Sequence, residues 1–264
     1  MADTLKEIAI KYSFAKGKRV TDKDKNGYID IYEKYFSEFR NKENNILEIG
    51  VWSGASLKIW SEYFENSHVM GLDIPHELYP ASIFPYRDEA TQRKLISFIN
   101  NASLFLGDQG DTTNLQQMIN FLEETTKKNK FDIIIDDGSH FQYDIMNSFG
   151  FLFPHLNSGG LYIVEDICSV EDLEAGSQWW GHSEEVHHHR PNLRSDEEWL
   201  AGKSIDVNNS VDATFKRTLE TNVFFSKYLT EEQNGYINDN INTINYVMKD
   251  DLPCKSNLAI IRKN

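Results

Sequence analysis

Only two of the 264 residues are cysteine, Cys168 and Cys254. That excludes a disulfide framework and fits a reducing, cytoplasmic setting. Positive charge is also short: 27 Lys and Arg face 41 Asp and Glu, a formal net charge of -14. So acidic a chain is a poor partner for nucleic acid, whose binding rests on neutralised phosphates. No apolar run approaches the ~20 residues of a membrane span. The start, Met1-Ala2-Asp3-Thr4-Leu5-Lys6-Glu7, lacks the apolar stretch of a signal peptide. No internal repeat is present. What remains is 40% hydrophobic, enough for one large α/β domain or a domain with appendages.

The stretch Asn45-Ile46-Leu47-Glu48-Ile49-Gly50-Val51-Trp52-Ser53-Gly54-Ala55-Ser56 organises the rest. It runs from an apolar strand through Glu-x-Gly-x-x-x-Gly into a helical pattern. Glycines there allow a tight turn and close approach of backbone to a ligand. The helix start offers free N–H groups to a polar or negative group. The spacing is neither Gly-x-Gly-x-x-Gly nor a P-loop. By itself it fits a nucleotide-like ligand loop or an ordinary strand-to-helix turn.

Further apolar runs at 68–74, 102–106, 131–136 and 161–164 alternate with helical patterns at 54–64, 89–99, 112–127 and 141–156. This rhythm predicts βαβ units and a parallel sheet. Ligands of such sheets sit beyond the carboxyl ends of the strands. Acids recur there: Asp73, Asp108, Asp136 with Asp137, and Glu165 with Asp166, while Glu48 precedes the end of the first strand. A helix is expected over 208–229, and two closing strands over 241–249 and 257–262. Ahead of the sheet, residues 1–44 read as a helical cap, with helices near 4–15 and 28–40.

Two segments break the pattern. Residues 167–206 are acidic and aromatic, with Trp179, Trp180 and a His182–His189 cluster, and read as a lid or acceptor loop. Vicinal histidines cannot easily share one ion, so a solvated lid is the plainer account. Residues 22–33 match an EF-hand loop, with oxygen donors at Asp22, Asp24, Asn26, Asp30 and Glu33 and glycine at Gly27. The segment before it makes a poor helix, so calcium competes with a solvated loop and helix cap.

These residues together resemble class I S-adenosylmethionine-dependent methyltransferases. More closely, they resemble the metal-dependent sugar O-methyltransferases of the macrocin and mycinamicin type. The resemblance covers about residues 20–170. It rests on Thr21-Asp22-Lys23 with Tyr28 and Tyr32, the loop 47–56, Gly71-Leu72-Asp73-Ile74, Gly107-Asp108-Gln109, Asp136-Asp137-Gly138-Ser139-His140, and Gly159-Gly160 with Val164-Glu165-Asp166. The loop Val51-Trp52-Ser53 is shorter than in the macrolide-sugar enzymes.

The resemblance implies a Rossmann-like, seven-stranded fold with an antiparallel C-terminal hairpin and helices on both faces. It implies a methyl transfer from S-adenosylmethionine to the hydroxyl of a sugar or nucleotide-sugar, assisted by Mg²⁺. Thr21, Glu48, Gly50, Ser53, Asp73, Asp108, Gln109 and Asp136 would bind the donor, Asp73 at the ribose and Asp108 with Gln109 at the adenine. His140 would be the general base, with Asp137 and Asp166 holding the metal. Arg87, Arg93, Arg190 or Arg194 would receive acceptor phosphates. Other readings stay open: a transferase for another small polar metabolite, a cofactor-binding accessory protein without catalysis, or a calcium-regulated module. A homo-oligomer is compatible with the sequence.

Overall fold

The computed structural model describes residues 3–15, 18–74, 101–174 and 207–264. Its centre is a seven-stranded sheet in the order β5-β4-β3-β6-β7-β9-β8. The strands are β3 (Asn45–Ile49), β4 (His68–Asp73), β5 (Ala102–Leu106), β6 (Phe131–Asp136), β7 (Leu156–Ile167), β8 (Ile241–Val247) and β9 (Asn257–Lys263). β3 through β7 are mutually parallel, and β9 runs antiparallel to both of its neighbours, β7 and β8. A short antiparallel ribbon, β1 (Phe14–Ala15) with β2 (Lys18–Arg19), lies outside the sheet.

Strand alternation sends side chains into two separate cores. Leu47, Ile49, Met70, Leu72 and Ile134 enter one, against α4 (Thr112–Thr126), α5 (Gln142–Leu152) and α7 (Val211–Thr221). Ile46, Val69, Ile133 and Ile135 enter the other, against α1 (Leu5–Tyr12), α2 (Tyr28–Phe36) and α3 (Ala55–Tyr63). The second core is aromatic: Tyr32 stacks on Phe36 with ring centres 4.9 Å apart, and Trp60 meets Phe36 edge-on at 5.8 Å. Every residue of β3 is buried, as a central parallel strand requires. Because β3 is flanked by β4 on one side and β6 on the other, the sheet has its topological switch point there. A crevice opens beyond the carboxyl ends of such strands.

Several elements differ from expectation. The helix expected over 208–229 is two elements. α7 stops at Thr221, capped by Asn222 in the left-handed conformation (φ 56°), and α8 (Glu231–Asn240) begins with a Thr230–Gln233 capping box. The helix expected to reach 156 ends at Leu152, where Pro154 enters a single 3₁₀ turn. β7 then starts at Leu156 and carries the Asn157-Ser158-Gly159-Gly160 turn residues within it. The helix expected near 89–99 lies outside the described residues. Of the expected lid, only 167–174 is described, including α6 (Val170–Glu174), while the His182–His189 cluster lies outside.

Four of the oxygen donors in the EF-hand-like stretch 22–33 have partners within the protein. Asp24 pairs with Arg19 at 2.5 Å, and Asp30 with Lys6 at 2.9 Å. Asn26 accepts from the Tyr28 N–H, and Glu33 accepts from the Leu5 N–H and the Tyr63 hydroxyl. The residues ahead of the loop form the β1–β2 ribbon, not an entering helix. Gly27, at φ 88°, starts α2 and lies against Pro253.

Candidate active site

The turn after β3 is built around Gly50. It holds φ 86°, and a Cβ there would stand 2.0 Å from the Asp137 carbonyl oxygen. Gly50 thus lets the loops following β3 and β6 touch. Asp73, at the end of β4, accepts from the Val51 and Trp52 N–H groups through Oδ2 (3.2 and 2.8 Å) and from the Ile74 N–H through Oδ1. Its carboxylate therefore fixes the glycine loop to the neighbouring strand end. Asp108 accepts from the Gly110 N–H at 2.8 Å. Gln109 accepts from the Ser139 N–H at 2.8 Å and donates toward Asp136 at 3.1 Å.

These residues bound a cleft lined by Ile49, Gly50, Asp73, Asp108, Gln109 and Ser139 among others. At Gly138 in its wall a Cβ would lie 1.9 Å from Gln109 Oε1, so a side chain there would displace Gln109.

Beside the cleft lies a second cluster. One ligand atom each from Asp137, His140 and Asp166 lies within 4.8 Å of the other two. His140 Nε2 is 3.8 Å from Asp137 Oδ1. Both His140 (φ 59°) and Asp166 (φ 52°) hold left-handed backbones, which non-glycine residues seldom adopt and which concentrate at functional sites. Asp166 Oδ1 accepts from the Tyr28 hydroxyl (2.7 Å) and from Ser256 (2.5 Å). Behind this cluster Lys23 donates to Asp137 Oδ2 at 2.7 Å and to Glu165 at 2.6 Å, and the Tyr32 hydroxyl donates to Glu165 at 2.8 Å. Burial pushes the Glu165 carboxyl well up, against the pull of Lys23. Burial alone would lower the Lys23 ammonium, but Asp137, Glu165 and Glu48 outweigh it and hold the group well above the ordinary lysine value.

Of the residues expected to bind a donor, Gly50, Asp73, Asp108 and Gln109 share the cleft. Glu48 does not line it. It is fully buried on the opposite face of β3, accepts from Ser56 at 2.6 Å, and is pushed up to about 7 by burial. Asp136 also turns inward, to Ser148 and Gln109, and burial lifts it to about 6. Ser53 joins the N-terminal segment to the glycine loop by donating to the Val20 carbonyl, and Thr21 Oγ1 accepts locally from the Lys23 N–H. The roles of Lys23, Tyr28, Tyr32 and Glu165 were not assigned from sequence. Glu165 is marked in the sequence by its place at a strand end, while Lys23, Tyr28 and Tyr32 stand out through the Thr-Asp-Lys and tyrosine matches.

No family model matches the chain. Demethylmacrocin O-methyltransferase of Streptomyces fradiae is 33% identical over 146 residues, 53% of this chain and 31% of that protein. Mycinamicin VI 2''-O-methyltransferase of Micromonospora griseorubida is 34% identical over 147 residues, with the same shares of the two chains. The matched stretch is thus about a third of the length of these relatives. Among solved structures, the MycE methyltransferase in complex with Mg, SAH and mycinamycin VI is 23% identical, with a TM-score of 0.55 over 99% of this chain. The chain spans 55% of that structure. A putative caffeoyl-CoA O-methyltransferase from Staphylococcus aureus is 17% identical, with a TM-score of 0.50 over 98% of this chain and 90% of its own. The chain therefore has the Rossmann-like methyltransferase fold, and over half of its length it is similar to the O-methyltransferases named for demethylmacrocin and mycinamicin VI.

Proposed function

We propose that the chain carries an S-adenosylmethionine-dependent O-methyltransferase centre that acts on a sugar hydroxyl with the help of Mg²⁺. The observation that carries this reading is one juxtaposition. The glycine-walled cleft with Asp73 and Asp108 adjoins the Asp137–His140–Asp166 cluster through the contact of Gly50 with Asp137. The acceptor class is supported by a further relative, 32% identical over 147 residues, named 8-demethyl-8-alpha-L-rhamnosyl tetracenomycin-C 2'-O-methyltransferase, a name that carries a rhamnosyl group.

The residues present fit both groups. In the cleft, Asp73 at the end of β4 would take the ribose hydroxyls, the logic of the ribose acid in dinucleotide folds. Asp108 and Gln109 would flank the adenine, and Gly50 would admit the methionine part. Two carboxylates, Asp137 and Asp166, suit a cation that keeps several waters. The acids outnumber Lys23 there, so the site favours further positive charge. When bound, the donor supplies an electrophilic methyl, and the metal an electrostatic hold on the acceptor oxygens.

His140 would take the acceptor hydroxyl proton at Nε2 as oxygen forms its bond to the methyl carbon and the methyl–sulfur bond of the donor breaks, its electron pair passing to sulfur to leave S-adenosylhomocysteine. Asp137 Oδ1 stands 3.8 Å from that nitrogen. An assay with S-adenosylmethionine and a panel of glycosides and nucleotide-sugars, read by a methyl mass shift, tests the reading. His140→Ala is expected to lose turnover by at least about 100-fold while keeping product-cofactor affinity within a few-fold. Donor binding without transfer to any sugar would move the assignment to a non-catalytic cofactor-binding protein.

A further inference from the structure

Four carboxylates crowd one corner of the fold: Glu48, Asp137, Glu165 and Asp166. Glu48 and Glu165 are fully buried or nearly so. Lys23 is the lysine on which three of them, Asp137, Glu165 and Glu48, converge. Its Nζ donates to Asp137 Oδ2 at 2.7 Å and to both oxygens of Glu165 at 2.6 Å, and stands 4.0 Å from Glu48 Oε1. The ammonium is itself buried. A buried lysine is expensive unless paired, and so is each acid around it. The side chain reaches this point from a segment fastened down on its own account, through Ser53 to the Val20 carbonyl and through Thr21 to the Lys23 N–H. The ammonium engages one oxygen of Asp137, and the other oxygen faces His140.

We propose that Lys23 is a positioning residue: by bonding Asp137 and Glu165 together it fixes the Asp137 carboxylate beside His140 and Asp166, and it supplies the counter-charge that lets these acids stay together before a divalent cation arrives. The proposal rests on the metal-assisted reading above. Its consequence is thermodynamic. With Lys23 present, the acids are partly neutralised with or without metal. Without it, stability becomes dependent on the added cation, since a ligand that binds only the folded chain stabilises by mass action.

The test is thermal melting of the full chain in EDTA and in excess MgCl₂. Lys23→Met is expected to melt about 10 °C below wild type in EDTA. Mg²⁺ should recover at least half of that loss, while shifting wild type by only a few degrees. The double variant Lys23→Met/Glu165→Gln, with one negative charge fewer, should melt above Lys23→Met in EDTA. It also decides the matter if Lys23→Met alone does not fold. An equal loss in both media, with no gain from Glu165→Gln, would mean that Lys23 merely fills space and would overturn the proposal. So would a failure of the double variant to fold in either medium. Neither measurement involves methyl transfer, so an inactive wild-type chain would sink the transferase reading and leave this one to be judged separately.

Discussion

At Glu48 the strand pattern and the expected donor role pull in opposite directions, and the pattern prevails. Leu47 and Ile49 face one core, so Glu48 must share the other face with Ile46, toward Ser56 and Trp60 on α3. Burial there lifts its carboxyl from 4.5 to about 7, despite Lys23 and the Ser56 hydroxyl. The folded chain therefore holds this proton more tightly than the unfolded chain does. The resulting stability is fully present below pH 4.5 and is lost as pH rises to about 7. The difference across that window is roughly 3 kcal/mol. Glu48→Gln keeps an acceptor for Ser56 and has no proton to lose. Its melting temperature should vary less than wild type's across this window, and its affinity for the product cofactor should change only a few-fold. A variant whose melting follows wild type at every pH would show that the Glu48 carboxyl is ionised throughout, paired with Lys23.

At the scale of elements, Asp212 does for the C-terminal half what Asp73 does for the cleft. It is fully buried on α7. Oδ1 accepts from Tyr246 on β8 and from Asn257 on β9, while Oδ2 accepts from the Val170 N–H at the start of α6 and from Lys216 at 2.9 Å. Removing the carboxylate leaves several donors without it at once. Asp212→Ala is expected to lose about 3–5 kcal/mol in urea denaturation, with Asp212→Asn in between. A loss under about 1 kcal/mol would show that water replaces the network. None of these pairings is legible in the sequence, because an isolated Asp near a helix start reads as a cap. The parallel strands were legible, since a strand buried on both faces must be an apolar run, as Phe131-Asp132-Ile133-Ile134-Ile135 is. α8 was not legible, because Glu-Glu-Gln-Asn-Gly-Tyr-Ile-Asn-Asp-Asn buries only Asn234 and Ile237 and shows no apolar stripe. In the site, the cleft acids were legible from their places at strand ends. Lys23 was not, because its partners lie 114 and 142 residues away along the chain.

For the whole molecule, the question is whether residues 1–44 form a cap on an independent domain, as their composition implies, or part of one folding unit. The core on the α3 face argues for the second. Leu5, Ile8, Tyr28, Tyr32, Phe36 and Phe39 are packed with Ile46, Val69, Ile133 and Trp60, so the N-terminal helices cover one side of the sheet. The same segment brings Lys23, Tyr28 and Tyr32 to the acids of β6 and β7. Burying each large side chain of this kind stabilises by about 1.5–3 kcal/mol, so the set is comparable to the usual total stability of a domain. A chain starting at residue 45 is therefore expected to lack a cooperative melting transition and to bind no product cofactor, although the residues lining the cleft are all retained. Calorimetric melting and titration of that chain beside the full one check this. If the shortened chain melted cooperatively and bound the cofactor within a few-fold, the sheet would be self-sufficient, and the N-terminal helices would serve only the Asp137–His140–Asp166 cluster.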